Sequence, residues 1–120
     1  MKSITVKTRD ELLKAKNENY DEIILVGAIA NNLKKSKKIT TLGKGALGVL
    51  TATFGAATVI APTTGGLSYA VLAPVAFLTG LEIVAIIAAL SIGIALILAI
   101  FKGYEEISYK PDKLVLRKKS

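Results

Sequence analysis

The chain has 120 residues, of which 52% are apolar, and its sixteen Lys and Arg against nine Asp and Glu leave a net charge of +7. It contains neither Cys nor His, which excludes disulfide bonds, thiolate chemistry and the usual zinc sites. No Gly-rich phosphate loop is present, and six of the nine acidic residues form three adjacent pairs, whose side chains point apart on a helix or strand. The sequence therefore indicates a protein that is not an enzyme and holds no metal or cofactor.

The first 41 residues have the pattern of a small α/β unit. Ile4 and Val6 alternate with polar residues, as in a half-buried strand. Thr8 and Glu11 form a Thr-x-x-Glu capping box that begins a helix. The apolar run Glu22–Val26 predicts a buried strand, and a second helix follows it. The predicted order is strand, helix, strand, helix.

The last part of the chain, residues 102–120, predicts a β-hairpin. Apolar and polar residues alternate on both sides of Lys110-Pro111-Asp112-Lys113, and Pro-Asp at the centre of four residues favours a type I turn. The most economical arrangement joins this hairpin to the N-terminal strands in one sheet. Residues 1–41 and 102–120 would then form a single head.

The middle of the chain is almost free of charge. Glu82 is the only charged residue in the fifty-seven positions between Lys44 and Lys102. A bilayer core requires about 20 helical residues, so this block predicts two transmembrane helices, over residues 42–61 and 80–101. An extracytoplasmic turn over residues 62–79 would join them. Residues 67–78 fit a re-entrant or interfacial segment, or an extension of the second helix.

Lysines flank the outer ends of both predicted membrane helices. We interpret them as membrane-surface anchors that meet anionic headgroups; they are Lys34, Lys35, Lys37, Lys38, Lys44 and Lys102. Because the connection between the helices has no Lys or Arg, the positive-inside rule predicts a multi-pass protein of the cell membrane with both termini in the cytoplasm. The predicted fold class is an α+β membrane protein, with a two-helix transmembrane hairpin inserted into a β-α-β plus β-hairpin cytoplasmic head.

The first predicted membrane helix is rich in small residues, which allow close helix packing. The candidate packing residues are Gly45, Gly48, Ala52, Gly55 and Ala56. The second helix or another copy of the chain could face them, although Gly and Ala are also simply common in membrane helices. If another copy of the chain faces these residues, the protein is a homo-oligomer.

Thr79 and Glu82 form another Thr-x-x-Glu pair at the start of the second predicted helix. In that position Glu82 caps the helix at the membrane interface. If the helix instead begins near Pro74, Glu82 lies about two turns inside it and could line a pore, since an ionisable residue within a membrane segment is usually functional.

The function predicted first is therefore a small integral membrane protein that self-associates through its Gly/Ala-rich helix and forms a pore or alters permeability. An apolar hairpin between charged segments, over residues 42–101, resembles in composition the insertion hairpin of pore-forming bacterial toxins such as colicins, and the resemblance assigns no residue roles. The alternative is a membrane-anchored binding module whose basic head recognises a protein or ligand. Nucleic acid is disfavoured as a partner, because the head has few aromatic residues and no recognition motif.

Overall fold

The computed structural model describes residues 2–54 and 69–119, with the side chains of residues 54 and 69–71 left aside. Four strands and six α-helices occur in these ranges. They are, in chain order, β1 (Ser3–Val6), α1 (Arg9–Asn17), β2 (Glu22–Val26), α2 (Ala28–Ser36), a 3₁₀ turn (Lys37–Thr41), α3 (Lys44–Phe54), α4 (Tyr69–Thr79), α5 (Ile83–Ile92), α6 (Ile94–Gly103), β3 (Tyr104–Lys110) and β4 (Lys113–Lys118).

The four strands form one mixed sheet in the order β1-β2-β4-β3. Strands β1 and β2 are parallel, with Val6 opposite Leu25, and β4 runs antiparallel to β2, with Leu114 opposite Leu25. The predicted N-terminal strands and C-terminal hairpin are thus present and share one sheet. The alternation of apolar and polar residues explains this pairing. When β4 pairs with β2, the alternate apolar side chains lie together on one face of the sheet, where they are fully buried; they are Ile23, Leu25, Leu114 and Leu116.

Local sequence signals account for the helices next to the sheet. The predicted capping box of α1 is confirmed: the Glu11 N–H donates to Thr8 Oγ1 at 3.2 Å, and the Thr8 N–H donates to Glu11 Oε1 at 3.2 Å. Helix α1 buries Leu12 and Ala15. Helix α2 follows Gly27, whose φ of 86° favours glycine.

The apolar middle of the chain packs against the α/β part. Helix α5 contacts α2, and α6 contacts the 3₁₀ turn and β3. Ile86, Leu90, Ile97 and Ile100 are fully buried in the same core as the strand residues. Helices α3 and α4 contact each other, and α4 also contacts α5.

The predicted transmembrane hairpin is wrong, and with it the predicted fold class. In place of the first predicted span, 42–61, the described residues form the 11-residue helix α3, and positions 55–61 lie outside the described residues. In place of the second, 80–101, there are two 10-residue helices that meet at Gly93, where φ is 101° and ψ is 128°. Hydropathy alone overlooked this break, because summing apolar residues does not register a backbone that leaves the helical region. The chain is instead an α+β protein with a four-stranded mixed sheet.

Membrane location is corrected for the same reason. None of the helices in residues 2–54 and 69–119 is by itself long and apolar enough to cross a bilayer; α4 from Leu72 and α5 reach that length only as a pair bent by 102°. The multi-pass topology, the cell-membrane location and the interpretation as a transmembrane pore were therefore wrong. Residues 69–79 of the predicted extracytoplasmic turn form α4.

Candidate functional site

A cleft of about 500 Å³ opens where the 3₁₀ turn, the end of α6 and strand β3 meet. Three lysines, two glutamates, one hydroxyl group and three apolar or aromatic side chains line it. They are Lys37, Lys102, Lys119, Glu105, Glu106, Thr40, Leu98, Phe101 and Tyr104. We call this feature the lysine cleft.

Chain connectivity brings the walls of the lysine cleft together. Helix α6 ends at Gly103 and β3 begins at Tyr104 without an intervening loop. The Lys119 N–H, directly after β4, donates to the Gly103 carbonyl oxygen at 2.9 Å. Because α6 also packs on the 3₁₀ turn that begins with Lys37, residues from three distant parts of the sequence surround one space.

The most buried charge of the lysine cleft is already paired. The Glu106 side chain is only 16% exposed, and both of its oxygens accept hydrogen bonds from Lys34 Nζ, at 2.9 and 2.7 Å. Lys37 Nζ lies farther from Glu106, at 3.8 Å, and 5.8 Å from the centre of the Phe101 ring. Lys34 therefore largely neutralises Glu106, and the positive charge of Lys37 is only partly compensated.

The other two ammonium groups of the lysine cleft differ from each other. Lys119 Nζ donates to the Phe101 carbonyl oxygen at 2.8 Å, at the end of α6 where a positive charge is favourable. Lys102 is exposed and, within the described ranges, makes no ion pair or side-chain hydrogen bond. It is the cation of the cleft most available to a ligand.

Tyr104 forms part of the cleft wall with its ring buried. Its hydroxyl donates to the Tyr20 carbonyl oxygen at 2.6 Å. Burial, and secondarily the negative charge of Asp21, raises the pKa of the Tyr104 phenol above its usual range. The phenol is therefore neutral at physiological pH and contributes an aromatic surface.

The arrangement suits binding of an anion. Ammonium groups near an apolar floor of Leu98 and Phe101 provide charge and contact area together. In the described residues, no group of three or more Asp and Glu could hold a metal ion.

Several lysines that the sequence singled out lie at or beside this cleft. Lys37 and Lys102 line it, and Lys34 holds its Glu106 wall. Lys35 and Lys44 are exposed elsewhere, and Lys38 lies 3.8 Å from Glu82. Sequence reasoning missed Lys119, Glu106 and Tyr104. The pairing of the tail hairpin with the N-terminal strands was the signal that could have placed Lys119 near the end of the apolar block.

The other candidate residues lie away from the lysine cleft. Gly45, Gly48 and Ala52 are exposed along α3, while Gly55 and Ala56 lie outside the described residues. Thr79 Oγ1 donates to the Val75 carbonyl oxygen at 2.7 Å and accepts from the Leu81 N–H at 3.3 Å. Glu82 directly precedes α5, but its side chain makes no capping hydrogen bond and extends toward Lys38.

Comparison with known proteins gives a family. The family model described as "Uncharacterised protein PM1101" matches residues 5–119, and the chain belongs to this family. The match includes the end of β1, the other three strands, all the described helices and every residue of the lysine cleft. No curated protein and no solved structure matches the chain.

Proposed function

We propose that this member of the PM1101 family is a binding protein that takes an anionic ligand into the lysine cleft. The observation that carries the proposal is the grouping of Lys37, Lys102 and Lys119 around an apolar floor in a cavity of about 500 Å³. The volume lies in the range of roughly 300–1,000 Å³ that is typical of small-molecule sites, and the lining is more charged than in most of them, which suits a charged ligand. The proposal keeps the binding role of the alternative sequence interpretation and omits its membrane anchor.

Charge supports an anion over a cation as the ligand. Glu106 is engaged by Lys34 at 2.7 Å, so its charge is not free to attract a cation. Glu105 then leaves one negative charge against the three ammonium groups of Lys37, Lys102 and Lys119 that line the cleft. The whole chain carries +7, which raises the local concentration of anions around it.

Phosphate and carboxylate groups share the chemistry that the lysine cleft offers, since both accept hydrogen bonds from ammonium groups. The experiment separates them. The full chain is titrated with inorganic phosphate and, in a second series, with succinate, at constant ionic strength, and amide chemical shifts are followed by NMR. We expect saturable shifts at residues 37–40, 101–106 and 119 with one of the two anions.

Lys102→Gln is the most informative variant, because Lys102 has no described partner whose loss would disturb the fold. We expect this variant to bind the anion with a dissociation constant about 2- to 5-fold larger than that of the unchanged chain. A change of this size corresponds to the loss of one exposed charge interaction. The matched control is Lys14→Gln, which removes an exposed lysine of α1 away from the cleft. Equal weakening in both variants, or shifts spread evenly over the lysines, would mean non-specific attraction and contradict the proposal.

A second variant tests whether the lysine cleft prefers a negatively charged ligand. Glu106→Gln removes a negative charge from the cleft wall and releases Lys34 and Lys37 from it. An anion should then bind more tightly. Weaker anion binding by a variant that remains folded by circular dichroism would mean that Glu106 positions the lysines for the ligand. Absence of saturable binding in both the unchanged chain and Glu106→Gln would refute an anion site.

A further inference from the structure

Three large apolar side chains are exposed on either side of the turn between α4 and α5. Phe77 and Leu78 on α4 are 86% and 61% exposed, and Val84 on α5 is 54% exposed. We call these three residues the apolar corner. Phe77 and Leu78 are consecutive near the end of α4, and Val84 is in the first turn of α5, after a three-residue connection. Exposed apolar side chains that form one patch commonly mark an interaction surface. The corner lies on different elements from the lysine cleft, so an inference about it is independent of the proposed anion site.

A pair of opposite charges borders the apolar corner. Glu82 lies in the turn, two residues before Val84, and its Oε1 is 3.8 Å from Lys38 Nζ. Both side chains are largely exposed. The border of the corner therefore presents one negative and one positive group next to each other.

The neighbouring helix leaves room for close approach. Helix α3 packs against α4 and exposes Gly45, Gly48 and Ala52 along one side. A Cβ atom added at Gly45 or Gly48 would meet nothing within 4 Å. A second helix could therefore approach the α3 backbone without a steric conflict from these positions.

We infer that a second copy of this chain covers the apolar corner. In a two-fold interface, every contact between one residue of the first copy and another residue of the second copy occurs twice. Lys38 of each copy can therefore face Glu82 of the other copy. A surface with a positive and a negative group side by side is complementary to itself in this way. An acidic protein or an anionic lipid surface would pair with Lys38 but repel Glu82, and a basic partner would do the reverse. The balanced charge pair therefore favours self-association.

The first test is the mass of the full chain in solution, by light scattering after size-exclusion chromatography over a range of concentrations. We expect a dimer. We expect Phe77→Asp to increase the dissociation constant of this dimer at least about tenfold, as for the loss of an aromatic group at the centre of an interface. The matched control is Ile107→Asp, since Ile107 is also an exposed large apolar residue but lies on β3. A monomer at every concentration, or equal weakening by both variants, would overturn the inference.

The second test uses the charges and distinguishes contact between copies from contact within one copy. Lys38→Glu and Glu82→Lys each place like charges at the border and should weaken the homodimer. Mixing the two variants should produce a heterodimer by native mass spectrometry, because every contact between copies then joins opposite charges, although the pair within each copy stays broken. No heterodimer preference would contradict the two-fold arrangement.

A lipid surface is the competing occupant, and vesicles separate it from self-association. If the unchanged chain remains monomeric but sediments with vesicles of phosphatidylglycerol and phosphatidylcholine, and Phe77→Asp does not, the corner meets lipid and the inference is wrong. If the chain dimerises and Phe77→Asp abolishes the dimer without vesicle binding by either form, the inference is supported.

Discussion

Asn31 of α2 holds Asp112 of the β3–β4 turn from two sides. Asn31 Nδ2 donates to Asp112 Oδ1 at 2.7 Å, and the Asp112 N–H donates to Asn31 Oδ1 at 2.8 Å. Asp112 has a φ of 66°, a left-handed conformation that non-glycine residues adopt uncommonly. The Tyr109 hydroxyl donates to the same Asn31 oxygen at 2.8 Å. One side chain of a helix thereby fixes the geometry of a hairpin 81 residues away.

Replacing Asn31 with Ala should destabilise the protein by about 2 kcal/mol, because it removes three hydrogen bonds and leaves the Tyr109 hydroxyl and the Asp112 N–H without their partner. Urea denaturation gives the change in the free energy of unfolding. The control is Asn32→Ala on the same helix, which removes no described side-chain hydrogen bond and should cost less than about 1 kcal/mol. Equal losses would show that the effect comes from the helix and not from the turn.

The sequence predicted the strands of the C-terminal hairpin but not the conformation of its turn. Alternation around Pro111 and Asp112 predicted the two strands correctly, but the positive φ of Asp112 excludes the predicted type I turn, whose third residue has φ near −90°. Local residues did not indicate this, because the stabilising contact comes from Asn31. Ile107 is a similar case: a bulge between Glu106 and Ser108 interrupts the alternation, and the Ile107 side chain is exposed.

The apolar block was misread for a related reason. Residues such as Ile86, Leu90 and Ile97 suit a lipid environment and a protein core equally well, and only tertiary contacts with α2 and the 3₁₀ turn distinguish the two. The lysine cleft was foreseeable only in part. Lys37 and Lys102 stood out as flanks of the block, but their convergence with Lys119 depends on the sheet order and on the direct passage from α6 to β3.

Gly93, which separates α5 from α6, should be difficult to replace. Its φ of 101° and ψ of 128° place it in a region that side chains make costly. We expect Gly93→Ala to lower the free energy of unfolding by about 1–3 kcal/mol. Gly48→Ala should do the opposite and stabilise by about 0.5–1 kcal/mol, since Gly48 lies inside α3 with open space at its Cβ position. Denaturation in dilute protein compares the two, and a neutral Gly93→Ala would contradict the break between α5 and α6.

Arg9 should stabilise the same break from outside. Its Nε–H donates to the Ile92 carbonyl oxygen at 2.5 Å, at the last residue of α5. A positive group there also interacts favourably with the helix dipole. We expect Arg9→Gln to cost about 1–2 kcal/mol, whereas Lys7→Gln, which removes an exposed lysine before α1, should cost less than about 0.5 kcal/mol.

A double variant tests the assignment of Arg9 to this break. If Arg9 acts on the helix end beside Gly93, the combined cost of Arg9→Gln and Gly93→Ala should differ from the sum of the single costs, since neighbouring sites are not additive. Additive costs within about 0.3–0.5 kcal/mol would mean that the two residues act independently.

Tyr104 should make stability fall at alkaline pH. Burial, with a smaller effect of Asp21, raises the pKa of its phenol in the folded protein above the ordinary value of 10.0. The unfolded chain therefore releases this proton at lower pH than the folded protein does. The stabilisation from Tyr104 is complete below about pH 10 and decreases as pH rises from there through the folded pKa. The bond from its hydroxyl to the Tyr20 carbonyl oxygen, which only the protonated phenol can donate, acts in the same direction.

Tyr104→Phe should lower the free energy of unfolding by about 1 kcal/mol at pH 7, because it removes that bond. The stability of this variant should depend less on pH above 10 than that of the unchanged chain. Since lysines also titrate there, the difference between the two proteins is the quantity to measure, with Tyr20→Phe as the control that keeps the Tyr20 carbonyl. Identical alkaline profiles for the unchanged chain and Tyr104→Phe would show that other groups govern alkaline unfolding.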